Sequence, residues 1–289
     1  MITAQPPTGI LLGQYTPGTP EWEQARAGLC ITATEIAAVM NLSPWPNSNP
    51  FVLWHKKSGL PVPPFVGSPQ VEWGNRLESA VAQKFADEHP ELEVRETGTW
   101  RHRDRDWQRA TPDRFVGDQL LEVKTSPTGE GWDSGVPLHY YCQTQWQLDT
   151  LGLQTCYVAV LIAGHDYREY VVEYDEADAK LMRERAERFL DSVRNGQRPD
   201  IDDSTGTYDT IRRQADRFDE IDVEIPGPIA SRYEVTHQQL KAVEAEHLHA
   251  KSLLLDALGN GRNAMHLGRR IAYRTAHEDG TTRALQPAR

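Results

Sequence analysis

The spacing of apolar residues along the middle of the chain predicts a mixed α/β core. Residues 120–124 read as a strand, in which apolar and polar residues alternate from 121 to 124 as they do where the two faces of a strand meet different surroundings. Apolar residues recur every four positions from Trp73 to Phe85, which predicts one stripe of an amphipathic helix. The same reasoning gives strands over 94–100, 156–163 and 168–174, and helices over 140–151 and 175–195. The predicted fold class is therefore α/β (α+β): a mixed sheet flanked by helices, with a site at the edge of the sheet.

The two ends of the chain differ from this core. Residues 1–20 are rich in Pro, Gly and Thr, and we predict a loose N-terminal arm. The α/β elements occupy residues 21–200. Residues 201–289 begin as an acidic, loop-like stretch and then predict a long helix over 233–258, followed by a small hairpin around Gly268. We therefore expect a mainly helical C-terminal extension with a terminal β-hairpin.

Asp113, Glu122 and Lys124 form the most informative polar group in the sequence. Glu122 and Lys124 share one face of the predicted strand, because alternate residues of a strand point the same way. Thr111-Pro112-Asp113 precedes that strand across a short turn over 116–119, so a hairpin can bring the Asp113 carboxylate beside Glu122. Two carboxylates and one ammonium on a single face suit a hydrolytic Mg²⁺ site. The oxygens bind a hard cation and the lysine orients the attacking water.

Each of these residues also has an ordinary interpretation. Asp, Glu and Lys are common, and this spacing arises by chance in many proteins. Glu78 lies at the edge of the buried face of its predicted helix, where a boundary glutamate is typical. Tyr140, Gln143 and Gln147 share one face of another predicted helix. A solvated polar face would explain them as well as contacts with phosphate or with the lysine would.

Taken in order, these segments resemble the YqaJ-type viral recombination nucleases, which include lambda exonuclease, within the PD-(D/E)XK nuclease superfamily. The resemblance covers about Glu21 to about Asp175. It rests on Arg26, Ile31-Thr32-Ala33-Thr34-Glu35, Trp73-Gly74-x-x-x-Glu78, Thr111-Pro112-Asp113, Leu121-Glu122-Val123-Lys124 and Tyr140-x-x-Gln143-x-Gln145, and on the likeness of Asn49–Gly59 to the segment ahead of the first catalytic helix. Arg26 departs from the pattern, since it lies one residue further from Ile31 than the family's spacing.

The resemblance implies a metal-dependent deoxyribonuclease with a restriction-endonuclease-like core. The implied reaction is Mg²⁺-dependent exonuclease digestion of linear double-stranded DNA ends, 5′ to 3′, for phage-type DNA recombination by strand annealing, and Mn²⁺ can substitute. The implied catalytic residues are Asp113, Glu122, Lys124, Glu78 and Gln143. The implied metal ligands are Asp113, Glu122, Glu78 and the carbonyl of Val123. The implied DNA contacts are Arg26, Thr34, Tyr140 and Gln145, with Arg26 and Thr34 at the 5′-phosphate.

The implied partners are double-stranded DNA ends, a single-strand annealing protein and further copies of the chain, with a trimer favoured. Two other functions use the same residues differently. A structure-specific endonuclease would also cut closed circular DNA, whereas a non-catalytic DNA-end-binding protein would keep the fold without the reaction. For the C-terminal extension, packing or an oligomer contact is favoured over direct DNA binding.

Composition sets the remaining limits. The net charge of −11 argues mildly against nucleic-acid binding, because phosphate contacts need Lys and Arg. Three cysteines without paired spacing indicate free thiols in a reducing cytoplasm and argue against a four-cysteine iron–sulfur cluster. The sequence has no apolar run long enough for a bilayer and no visible secretion signal, so we expect a cytoplasmic protein in a bacterial or phage-infected cell.

Overall fold

A computed structural model describes residues 6–215 and 217–288 of the chain. The chain divides into two compact units, Met1–Arg217 and Phe218–Arg289. The first unit contains the predicted core, and the second contains a long helix and a small sheet. The division falls later in the sequence than the boundary expected after residue 200.

The first unit consists of helices and two sheets. Its helices are α1 (Pro20–Arg26), α2 (Ile36–Val39), α3 (Pro50–Lys57), α4 (Pro69–Glu88), α5 (Leu138–Leu151), α6 (Glu176–Arg194) and α7 (Thr205–Arg212). Its strands are β1 (Gly9–Gly13), β2 (Ile31–Thr32), β3 (Val94–Glu96), β4 (Thr99–His102), β5 (Gln108–Ala110), β6 (Arg114–Val116), β7 (Gln119–Ser126), β8 (Thr155–Ile162) and β9 (Asp166–Glu173).

The larger sheet has five strands in the order β3-β6-β7-β8-β9. Strands β7 and β8 are parallel, and the other neighbours are antiparallel. A parallel pair needs a long crossover, which α5 provides between β7 and β8. Gly152 ends α5 in the left-handed conformation, with φ of 73°, where glycine has no steric cost. The sheet is therefore mixed, as predicted, but β7 is its central strand and the site is not at a sheet edge.

Both faces of the central strand are covered, which explains its run of apolar residues. Leu121 and Val123 belong to a core cluster with Val81 and Phe85 of α4. On the other face, Leu120 belongs to the cluster that includes residues of α5. Strands buried on both faces carry apolar side chains on both. Glu122 and Lys124 thus point toward a helix-covered face and not toward open solvent.

The predicted loose arm needs correction. Gly9–Gly13 forms strand β1, which pairs antiparallel with β4 at the edge of a four-stranded sheet of order β1-β4-β5-β2. Thr8 adds a backbone hydrogen bond of 3.1 Å to the carbonyl of Leu151. Pro and Gly are compatible with an edge strand, so composition alone did not reveal this pairing. Residues 1–5 lie outside the described part of the chain.

Helix α7 fixes the end of the first unit. Asn49 caps α3 by accepting the backbone N–H of Val52 at 2.8 Å. The Nδ2 group of Asn49 donates to Ser204 Oγ at 2.7 Å and to Thr207 Oγ1 at 3.2 Å. Because Ser204 in turn caps α7, one amide joins the starts of two helices. Residues just beyond 200 are therefore part of the core unit and not of the extension.

The second unit contains α8 (Gly227–Leu258) and strands β10 (Asn263–His266), β11 (Arg269–Ala276) and β12 (Thr282–Pro287). The sequence predicted the long helix and a hairpin, but the third strand was missed. Ala264, Ala272 and Leu285 form the centre of a small core together with leucines near the end of α8. Among the residues that the structure describes, no helix is long and apolar enough to cross a membrane.

Candidate active site

Glu122 is held at the middle of β7 by three donors. Its side chain is only 2% exposed. Lys124 Nζ and Gln143 Nε2 both donate to Oε1, and Gln147 Nε2 donates to Oε2 at 2.8 Å. Gln143 and Gln147 lie one turn apart on α5, which places both amides over the strand. The polar stripe on this helix is thus a buried clamp on Glu122 and not a solvated face.

Lys124 is a partly buried cation that lies beside acceptor oxygens and an aromatic ring. Its Nζ also donates to Gln143 Oε1 at 3.2 Å and lies 4.7 Å from the centre of the Tyr140 ring. Burial disfavours the charged form, but the carboxylates of Glu122 and Asp113 outweigh it and raise the pKa of Lys124 above its ordinary value. Lys124 is therefore a fixed positive charge in this arrangement.

Asp113 lies immediately before β6, the strand that pairs with β7. Arg114 pairs with Leu121, so the next pair along this antiparallel ladder is Asp113 and Glu122. Asp113 Oδ2 accepts the backbone N–H of Val123 at 2.7 Å. Burial raises the pKa of Asp113 well above its ordinary value, and the negative charge of Glu122 raises it further. The hairpin predicted from the sequence thus brings the two carboxylates together.

Glu78 faces the same group from α4. The negative charge of Glu78 also raises the pKa of Asp113. Its Oε1 accepts from Arg114 Nη1 at 2.9 Å, and the same nitrogen donates to the carbonyl oxygen of Asp113 at 2.6 Å. Arg114 was not recognised in the sequence, because an arginine next to a motif is common on any strand.

The carboxylate oxygens of Asp113, Glu122 and Glu78 are suitable ligands for a hard divalent cation. In this structure they accept hydrogen bonds from other protein groups. Within the described residues, no three or more His, Cys, Asp or Glu side chains form a group that could hold a metal ion. Glu122 is directed to the amides of α5, and Glu78 is directed to Arg114. The carboxylates of Asp113, which is partly buried, and of Glu122, which is buried, nevertheless repel each other, and a divalent cation that prefers oxygen ligands would relieve that repulsion. The residues therefore fit Mg²⁺ by type and charge.

Arg26 and Thr34 meet in the structure. Arg26 ends α1, and its Nη2 donates to Thr34 Oγ1 at 2.8 Å. The guanidinium lies 3.9 Å from the centre of the Trp22 ring, and burial lowers the pKa of Arg26 from its ordinary value. Thr34 is exposed. The two residues named for the 5′-phosphate thus form one small group despite the unusual spacing of Arg26.

The comparison with known families matches residues 21–154 to the YqaJ-like viral recombinase domain. This part of the chain, a little under half of its length, is therefore similar to YqaJ-like viral recombinase domains. It contains both the Asp113–Glu122–Lys124 group and the Arg26–Thr34 pair. No curated protein matches the chain.

Solved structures give the fold of this domain. The alkaline exonuclease LHK-Exo from Laribacter hongkongensis superposes with a TM-score of 0.51 and 22% sequence identity, covering 62% of this chain and 94% of that chain. The structure of LHK-Exo in complex with dAMP gives the same values. The YqaJ-like domain therefore has a restriction-endonuclease-like fold, and the predicted family and fold class are confirmed.

One predicted DNA contact is not at the surface of the YqaJ-like domain. Gln145 is fully buried. Its Nε2 donates to the carbonyl of Glu173 at 2.6 Å, and its Oε1 accepts the backbone N–H of Asp175 at 2.9 Å. Both ends of the amide are used to join β9 to the start of α6. We therefore correct the prediction that Gln145 contacts DNA. Its amide stabilises the fold, and it shares neither the helix face nor the solvent exposure of Tyr140.

Trp45 is a feature of this domain that the sequence did not reveal. Its ring centre lies 6.1 Å from Tyr140 and 5.0 Å from His139, and the side chain is 50% exposed. Tyr140 in turn lies beside Lys124, so an accessible aromatic surface adjoins this partly buried cation. Trp45 comes from a loop far away in the sequence, and no local pattern connects it with α5.

Proposed function

We propose that the chain is a Mg²⁺-dependent exonuclease that digests linear double-stranded DNA from its ends. The observation that carries the proposal is the group formed by Glu122 and Lys124 on the central strand with Asp113 beside it, in the YqaJ-like part of the chain. A buried carboxylate, a partly buried carboxylate and an ammonium lie together there, and charged groups do not gain stability from burial alone. The shared fold with LHK-Exo, an alkaline exonuclease, supports the same reaction class.

Asp113, Glu122, the carbonyl of Val123 and, directly or through water, Glu78 are the proposed ligands. When bound, Mg²⁺ would polarise the scissile phosphate and stabilise the leaving oxygen. For Glu78 to act as a direct ligand, its Oε1 has to exchange Arg114 for the cation. Mn²⁺ also prefers oxygen ligands, so we expect it to substitute.

Lys124 is proposed to hold the attacking water and to stabilise negative charge on the phosphate. Hydrogen bonds to Glu122 and Gln143 fix the position of its ammonium group, and the Tyr140 ring covers one side of it. Gln143 thus contacts both the catalytic cation and a proposed ligand. Gln147 keeps the second oxygen of Glu122 fixed, which makes it a positioning residue that the sequence did not single out.

The polarity of digestion is proposed from the Arg26–Thr34 pair. An arginine beside an exposed hydroxyl can give a phosphate charge-assisted, bidentate hydrogen bonds. Binding of the 5′-phosphate would set 5′-to-3′ digestion, which leaves a single strand for an annealing protein.

A ring-shaped homo-oligomer, with a trimer favoured, would keep the enclosed duplex from dissociating between cuts. Light scattering of the full chain is expected to give three times the mass of one chain, and a monomer that digests processively would contradict the ring.

Arg26→Ala is expected to slow digestion of 5′-phosphorylated ends by about tenfold, because one charge-assisted contact to phosphate is lost. Digestion of 5′-hydroxyl ends should change much less. Initial rates on the two matched duplexes measure the difference. Arg185→Ala, which removes an exposed arginine from α6, is the control and should leave both rates unchanged. Equal slowing of both substrates by Arg26→Ala would place Arg26 in general backbone binding or in folding.

The proposed reaction is tested on three DNAs: a linear duplex with 5′-phosphates, the same duplex with 5′-hydroxyls, and a covalently closed circle. With Mg²⁺, both linear forms should shorten, and the circle should stay intact because it has no end. Cutting of the circle would instead identify a structure-specific endonuclease.

A further inference from the structure

The terminal sheet carries a charge opposite to that of the chain as a whole. Residues 262–287 contain five arginines and two acidic residues, whereas the full chain has a net charge of −11. Four of these arginines, at positions 262, 269, 270 and 283, are exposed. In the part of the chain that the structure describes, all the ion pairs involve other residues. The sheet therefore presents cations that form no ion pair with any carboxylate of residues 6–215 or 217–288.

The sheet has an inner face and an outer face. Ala272 lies on the inner face, in the small core formed with the leucines of α8. Tyr273, the next residue on β11, points to the opposite face. It pairs with Asn263 on β10 and with Gln286 on β12, so an amide, a phenol and a second amide form one row across the outer face. This row is polar, aromatic and free of acidic groups.

Arginines flank the row at one end. The guanidinium of Arg270 lies 5.5 Å from the centre of the Tyr273 ring. Arg262, Asn263, Arg270 and Tyr273 line an open cavity of about 430 Å³. The cavity thus combines two cations with donors and an aromatic ring, which is the composition of a surface that contacts nucleic-acid strands.

We propose that the outer face of this terminal sheet binds DNA through its phosphodiester backbone. The inference deepens the proposed function, on which its choice of ligand rests, by adding a DNA contact outside the YqaJ-like domain. The arginines would bind phosphates, while Asn263, Tyr273 and Gln286 contact sugars or bases. An overall acidic chain repels phosphate, so a local basic surface is needed to retain DNA. The sequence favours packing or an oligomer contact for this segment over direct DNA binding, and the variants below test the DNA-binding alternative.

The double variant Arg262→Gln with Arg270→Gln tests the proposal in the full-length protein. Fluorescence anisotropy with a labelled duplex and a labelled single strand, in chelator to prevent cleavage, measures the dissociation constant over a range of salt. We expect the dissociation constant to rise about tenfold for at least one of the two DNAs. For the duplex, the logarithm of the dissociation constant is plotted against the logarithm of the salt concentration. The slope of this plot should fall by about two, because two phosphate contacts are lost. Which of the two DNAs weakens identifies the form that the sheet holds.

The control is Arg232→Gln with Lys241→Gln, which removes two exposed positive charges from α8 and none from the sheet. It should bind both DNAs as the wild type does. Unchanged binding by the sheet variant, or equal weakening by both variants, would overturn the proposal. Cleavage of linear duplex by the wild type in Mg²⁺ is measured in parallel. Normal cleavage with unchanged binding by the sheet variant would defeat only the sheet proposal. Weakened binding without any wild-type cleavage would defeat only the nuclease.

Discussion

Lys124→Ala is expected to bind DNA and metal as the wild type does but to lose nearly all cleavage, by about a thousandfold. The change removes the ammonium that is proposed to hold the attacking water. It leaves Glu122 with the amides of Gln143 and Gln147, so the buried carboxylate keeps two donors. Single-turnover cleavage of a linear duplex in Mg²⁺ measures the loss, and anisotropy in chelator measures DNA binding.

Two further measurements separate chemistry from folding in this experiment. Lys180→Ala removes an exposed lysine from α6 and should cleave at the wild-type rate. Thermal unfolding of Lys124→Ala tells whether loss of the buried ion pair has unfolded the protein, since breaking such a pair can cost about 3–5 kcal/mol. A folded Lys124→Ala protein that cleaves normally would exclude Lys124 from catalysis.

Asp113→Asn is expected to abolish cleavage and also to weaken metal binding, which distinguishes it from Lys124→Ala. A charged ligand becomes neutral, but the amide oxygen of Asn can still accept the backbone N–H of Val123. The repulsion between Asp113 and Glu122 disappears, so the unfolding temperature of the metal-free protein should be equal to that of the wild type or higher. Calorimetric titration with Mg²⁺ or Mn²⁺ measures the affinity.

Asp118→Asn is the matched control for this change. Asp118 is exposed in the turn of the same hairpin, and its loss should affect neither metal affinity nor cleavage. If Asp113→Asn bound metal as tightly as the wild type, the proposed ligand set would be incorrect, whatever happened to the rate.

The sequence predicted local relationships in the candidate site well, because they depend on fixed periods. Alternation along β7 placed Glu122 with Lys124, and the short turn before it placed Asp113 nearby. The helical period placed Gln143 and Gln147 on one face of α5, although their common target, Glu122, was not foreseen. The catalytic roles of these residues remain predictions that the proposed variants test.

Relationships between distant segments could not be read from the sequence. The central position of β7 depends on its pairing with β8 through a crossover, and no local pattern reports that pairing. Arg114 and Trp45 look ordinary until Glu78 and Tyr140 are placed beside them. The prediction that Gln145 contacts DNA was wrong, because its side-chain amide is hydrogen-bonded to two backbone groups inside the protein.

The activity proposed for this chain is hydrolysis of DNA at its ends with a divalent cation. The most direct measurement is the release of mononucleotides from a uniformly labelled linear duplex by the wild-type protein. We predict steady release in Mg²⁺, a stop when a chelator is added, and resumption when Mg²⁺ is restored in excess. A protein that binds the duplex ends yet releases no nucleotide in Mg²⁺ or Mn²⁺ would contradict the claim and would instead be a non-catalytic DNA-end-binding protein.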